Sequence, residues 1–146
     1  MYLMDTNIVS ATSPIARAEV GPMVFSAWLR RDSERLFLSA VTIAEIEAGI
    51  TRADRIGATT KAARLHRWLA SVEHLYAGRI LAFGIEEARH AGAIIDRARA
   101  HDPGFEDIAI AATAAAHGFT VLTANERHFT PLGVPFLNPL KGLPPS

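Results

Sequence analysis

Short apolar runs alternate with longer stretches of helical spacing along this chain. Tyr2–Met4 is an apolar strand that meets a carboxylate at Asp5, and apolar positions resume at once in a short helix near Ile8. A helix is expected around Val24–Arg31 and a second strand at Leu36–Ser39, followed by a helix from Thr42 to about Ala53. Beyond it, Ala62, Leu65, Trp68, Leu69 and Val72 recur at helical spacing and predict one inward face. Arg79–Phe83 reads as a third strand, and Glu86–Ala100 as a helix with Ala91, Ile94, Ile95 and Ala98 on one side. Pro103 and Gly104 break the chain before an Ala-rich helix, apolar nearly all round, that ends at Gly118, a residue suited to closing helices. Thr120–Ala124 and Val134–Asn138 predict the fourth and fifth strands.

Strands alternating with helices imply an α/β sandwich around a mostly parallel sheet of four to five strands. At 146 residues the chain fits one domain over 1–138, with an irregular Pro-rich tail at 139–146. Hydrophobic content of 49% with 21% charged residues excludes a disordered chain. No run approaches the roughly 18 apolar residues of a membrane span. The N-terminus lacks the basic-then-apolar pattern of a secretory signal, so the cytoplasm is the expected location and no membrane partner is expected. The absence of cysteine excludes disulfides and thiolate metal sites. Fifteen cations balance fifteen acids, which argues against a nucleic-acid partner by net charge alone. Thirteen of those cations are Arg, whose planar fork suits phosphate, although genomic base composition explains Arg and Ala richness equally well.

In open α/β sheets ligands bind outside the carboxyl ends of the strands. Asp5 follows the first strand, Ser39, Thr42 and Glu45 follow the second, Asp107 opens the Ala-rich helix, and Asn125 follows the fourth strand. Each has a structural explanation. Asp5 is a favoured N-cap, Thr42-x-x-Glu45 spells a capping box, Asp107 suits a helix's first turn, and Asn125 is a common turn residue. Jointly they suggest more, because carboxylates gathered in a partly dry cleft either take up protons or share a cation. An oxygen-only cluster suits Mg²⁺ or Mn²⁺ working on a phosphate substrate.

The segments "YLMDTNIVS", "LSAVTIAEIEAGI", "YAGRILAF", "DIAIAATAAAHGFTVLTANERHF" and "FLNP" occur in order over nearly the whole chain. Together they resemble the PIN-domain nucleases, specifically the VapC-type toxins of bacterial toxin–antitoxin pairs. The resemblance implies an α/β/α sandwich and a metal-dependent ribonuclease, usually a homodimer held by a cognate VapB-type antitoxin in a heterotetramer or larger assembly. It also implies that Asp5, Glu45 and Asp107 are the acidic metal-site residues. Asn125 stands where the family often has a fourth acid, and His128 where another is often seen. Thr6 and Thr123 match positions that tend to line the pocket. The implied reaction is in-line hydrolysis of RNA, leaving a 5′-phosphate and a 3′-hydroxyl.

Other readings compete. A haloacid-dehalogenase-like phosphohydrolase also begins with a strand and an Asp-rich loop, but Asn7 stands in place of its second Asp. The Asn125 and His128 departures allow a weakened nuclease that survives as a binding scaffold. No zinc-binding His pattern, serine-hydrolase elbow or phosphate-binding loop occurs. Arg64 and Arg67, with Arg52, Arg55 and Lys61, form either a solvated helix face or a track for RNA phosphates. Phe25, Trp28, Leu65 and Trp68 are core candidates first and a partner groove second.

Overall fold

The computed structural model describes residues 1–16 and 23–145. Five parallel strands form one sheet in the order β3-β2-β1-β4-β5: β1 (Tyr2–Met4), β2 (Leu36–Ser39), β3 (Ile80–Leu81), β4 (Thr120–Leu122) and β5 (Phe136–Leu137). The chain runs outward from β1 through β2 to β3, then returns to place β4 on the other side of β1. The strand order therefore reverses between β1 and β4, the position at whose carboxyl ends open α/β sheets bind ligands.

Strand side chains alternate between two cores, as a period of two requires. Tyr2, Met4, Leu36, Leu38 and Leu122 face a core shared with α1 (Thr6–Ser10), α2 (Met23–Arg31), α3 (Ala40–Arg55) and α4 (Thr59–Leu75). Leu3 and Val121, with Phe37 packed alongside, face the second core. It is closed by α5 (Ile85–Arg97), α6 (Phe105–His117) and the short α7 (Glu126–Phe129). The result is the expected α/β/α sandwich. Helix α6 buries Ile108 through Ala114 almost completely, since small Ala side chains let it lie close to its neighbours. Gly118 closes it at φ 70°, in the left-handed region.

Several boundaries differ from the sequence reading. The third strand is two residues rather than five, because it is an edge with a single neighbour and its ladder ends where Phe83 turns to pack on Phe105. Helix α3 begins at Ala40, not Thr42, because the buried Ser39 caps it by accepting from the Val41 amide. The Thr42–Glu45 capping box therefore does not form. Ile95 is 47% exposed and Trp68 only half-buried, since both lie at the rim of their helix faces. Phe25, Trp28 and Leu65 are core residues. Residues 139–145 hold no helix or strand, and Ser146 lies outside the described residues. Among the described residues no helix is long and apolar enough to cross a membrane.

Candidate active site

Asp5 is only 3% exposed, at the point where β1 passes into α1. Its backbone amide extends the sheet by donating to the Leu122 carbonyl at 2.8 Å. One carboxylate oxygen accepts from the Thr6 amide at 2.8 Å, so the N-cap reading holds locally. The other accepts from the Asn7 side-chain amide and from the Thr123 hydroxyl, both at 2.8 Å. Three donors thus fix the carboxylate, and of its roughly four lone-pair positions about one stays free. Capping alone needs one of those bonds.

Glu45 lies one turn into α3, but its Oε1 accepts from the Thr6 hydroxyl at 2.8 Å instead of serving its own helix terminus. Thr6 and Thr42 share a second hydroxyl bond at 3.0 Å, so a short relay ties α3 to the start of α1. Asp107, in the first turn of α6, meets the His128 ring at 3.1 Å. Thr123 is fully buried. It donates to Asp5, and its oxygen accepts from the Asn125 amide at 2.9 Å. The Asn125 side chain is exposed and makes no capping bond.

The three acids act on one another. Burial pushes the Asp5 carboxyl above its ordinary range and the Asp107 charge pushes it further, while bonds from Thr123, Thr6 and Asn7 pull the other way. Burial also raises Glu45, reinforced by the charges of Asp5, Glu106 and Asp107 and opposed by the Thr6 bond. Asp107 is raised by burial and by Glu106 against the opposing pull of His128. Among the described residues no three acids or imidazoles close around one point as a complete ligand cage. What the acids share is donor chemistry: all are carboxylate oxygens, the type that Mg²⁺ or Mn²⁺ takes together with water and substrate oxygens.

These raised carboxyls fix a pH dependence. The folded chain holds protons on them more tightly than the unfolded chain does, so ionisation costs stability as pH rises through and above the ordinary carboxylate range. In chelator-treated protein, wild type is expected to lose stability relative to Asp5→Asn as pH rises from about 4 toward neutrality. Denaturation curves at each pH measure the difference. Parallel curves would mean that Asp5 does not titrate high.

The PIN-domain profile matches residues 2–131. This chain belongs to the PIN-domain family. It is similar to the VapC ribonuclease Y4jK of Sinorhizobium fredii, 32% identical over 95% of this chain and 97% of that relative. It is also similar to the toxin FitB of Neisseria gonorrhoeae, 35% identical over 95% of this chain and 98% of FitB. Among solved structures, FitAcB from Neisseria gonorrhoeae superposes with a TM-score of 0.76 at 35% identity, covering 95% of this chain and 98% of the other. DNA-bound VapBC from Salmonella typhimurium does so at 0.67 and 25% identity, covering 93% and 96%.

Two features of this PIN domain escaped the sequence reading. Asn7 donates to Asp5, and its side-chain oxygen accepts from the Ala124 amide at 3.1 Å, clamping the ends of β1 and β4 together. Its only signal was adjacency to Asp5. The dehalogenase-like alternative is set aside by the PIN-domain match over residues 2–131. The other feature is the pairing of His128 with Asp107, across 21 residues of sequence. Arg64 and Arg67 are not brought to the acids. They line a shallow concavity with Thr12, Pro14 and Trp68, where Arg64 donates to the Pro14 carbonyl at 3.4 Å. Arg52 and Lys61 instead line a groove of about 420 Å³ with Thr6 and Glu45.

Proposed function

We propose that this PIN domain is a metal-dependent endoribonuclease acting as the toxin of a toxin–antitoxin pair. The observation that carries the reading is Asp5, buried at the strand-order reversal, held by three donors and lying in the field of Glu45 and Asp107. A buried carboxylate raised by desolvation costs stability, which makes Asp5 a poor device for structure alone. The VapC ribonuclease and FitB names of its relatives support the same reading.

Asp5, Glu45 and Asp107 would hold Mg²⁺ or Mn²⁺, directly or through water. When bound, such an ion supplies a more acidic water and neutralises charge on the phosphoryl oxygens. The chain's own groups do the positioning. The Thr123 and Asn7 bonds keep the Asp5 carboxylate aimed and favour its charged form against burial, and the Thr6 hydroxyl holds Glu45. The exposed Asn125 amide is available to donate to a phosphate oxygen. In the in-line reaction, the water oxygen bonds to phosphorus and the bond to O3′ breaks. The departing O3′ takes up a proton, leaving a 5′-phosphate and a 3′-hydroxyl.

The partner is expected to be a small VapB-type antitoxin, assembling with a homodimer of this chain into a heterotetramer or larger complex. The groove beside Glu45 suits it: Ile46, Leu65 and Trp68 supply an apolar wall for a helix, and Glu45 supplies an acceptor for an Arg. Incubating the purified chain with single-stranded RNA in EDTA, Mg²⁺ and Mn²⁺ tests the central reading. Cleavage is expected only with metal, with 5′-phosphate ends. Metal-independent products, or 2′,3′-cyclic phosphate ends, would reject it. A binding scaffold without cleavage is the second reading, favoured by the His128 ring lying on Asp107. Calorimetric titration with Mn²⁺ beside the cleavage assay separates the two, since a scaffold that binds an antitoxin or RNA shows neither metal binding nor efficient cleavage.

A further inference from the structure

Asp107 also opens onto a second, larger cleft of about 800 Å³, which Glu45 does not line and which is within the size range of ligand sites. Its walls are the 101–104 loop and α7. Asp107 is shared between this cleft and the acid cluster, while His101, Asp102, Arg127, His128 and Thr130 line the remainder. Asp102 takes a left-handed φ of 46°, and the loop presents His101 and Pro103 to the same space. Arg127 is exposed and forms no ion pair among the described residues. It is also the only permanent cation among the cleft's lining residues.

Helix α7 is only four residues long, yet it is firmly placed. Phe129 is fully buried beneath it, and Glu126 is tied to Lys141 and Asn138. The guanidinium of Arg127 thus stands on an anchored support, a short way along the chain from Asn125 and beside His128. A planar fork held near an acid cluster that works on phosphodiesters matches a neighbouring phosphate of the same strand. The imidazoles of His101 and His128 offer ring faces on which an unpaired base can stack.

We infer that the cleft between the 101–104 loop and α7 seats the single-stranded RNA flanking the scissile bond, with Arg127 as its phosphate anchor. This rests on the nuclease reading above. Duplex RNA would hold its bases stacked away from the two imidazoles, so an unpaired loop or end is the substrate form that fits.

Binding of a labelled single-stranded RNA in EDTA, followed over a range of salt, reads the anchor without any turnover. Arg127→Ala is expected to weaken affinity by about tenfold and to reduce the salt slope by about 0.7, the loss of one phosphate contact. Arg127→Lys should recover the slope but only part of the affinity, because a point charge lacks the fork. Arg89→Ala, on α5 and outside the cleft, should change neither; an equal effect there would reduce the result to bulk charge and overturn the proposal. In metal-loaded assays Arg127→Ala should raise KM far more than it lowers kcat. A wild type that cleaves RNA but whose affinity, slope and KM ignore Arg127→Ala overturns the cleft and leaves the nuclease standing. A wild type that does not cleave overturns both. Displacement of RNA by an acidic peptide as effectively as by unlabelled RNA would reassign the cleft to a protein partner.

Discussion

Asp5→Asn is expected to remove metal-dependent RNA cleavage by about a thousandfold or more while leaving the chain folded. The magnitude follows from the several kcal/mol that a metal-organised site contributes, at about 1.4 kcal/mol per tenfold in rate. Asn has the same shape as Asp but no charge to hold a hard divalent ion. Its oxygen still accepts from the Thr6 amide, so the cap on α1 survives. The amide nitrogen now faces two donors, the Asn7 side chain and the Thr123 hydroxyl, so the Thr123 hydroxyl must rotate to accept from it and the Asn7 bond to residue 5 is lost. The cost of that rearrangement is offset by relief of a buried charge, as the raised carboxyl implies. Circular dichroism and thermal melts should match wild type within a few degrees. Full cleavage by a folded Asp5→Asn protein would remove Asp5 from the site, whatever the other acids do.

Phe129→Ala should have the largest effect on the fold, a loss of roughly 3–5 kcal/mol. Phe129 is fully buried in the core that includes Leu3, Val121, Leu132 and the inner face of α6. Truncating it removes apolar contact and leaves a cavity that the surrounding strands and helix cannot close. In urea the midpoint should fall accordingly, and the melting temperature should drop by roughly 10–15 °C. Since Phe129 also roots α7, RNA binding should weaken along with stability, whereas Arg127→Ala should weaken binding alone. An unchanged urea midpoint would show that α7 is not anchored through this ring. Stabilising co-solvent separates the two contributions, because it restores folding without replacing the ring.

The rhythm of strands and helices was legible because burial on one sheet face or one helix stripe leaves its period in the chain. Tyr2, Met4 and Leu3 divide between two cores as strict alternation demands, and α4 places Ala62, Leu65, Leu69 and Val72 inside. Asp5, Glu45 and Asp107 could be singled out because acids at the carboxyl ends of strands have few structural uses at once. The boundaries were less legible. Ser39 and Thr42 both spell a helix start, and only the point where the β2 ladder ends chose Ser39. That choice released Glu45 from its helix terminus to meet Thr6.

What the sequence determined alone is therefore local: which segments are strand or helix, where α6 closes, and which polar residues stand at strand ends. The sheet order was decided only in three dimensions, since pairing among parallel strands depends on long crossovers that leave no mark in any one segment. By seating β1 between β2 and β4, that order brings Thr123 onto Asp5 across 118 residues. It also lets Asn7 bridge two strand ends and separates Arg64 from the acids while bringing in Arg127. Charges placed by packing, not by spacing along the chain, set the field at the site, because electrostatic coupling depends on distance through the fold.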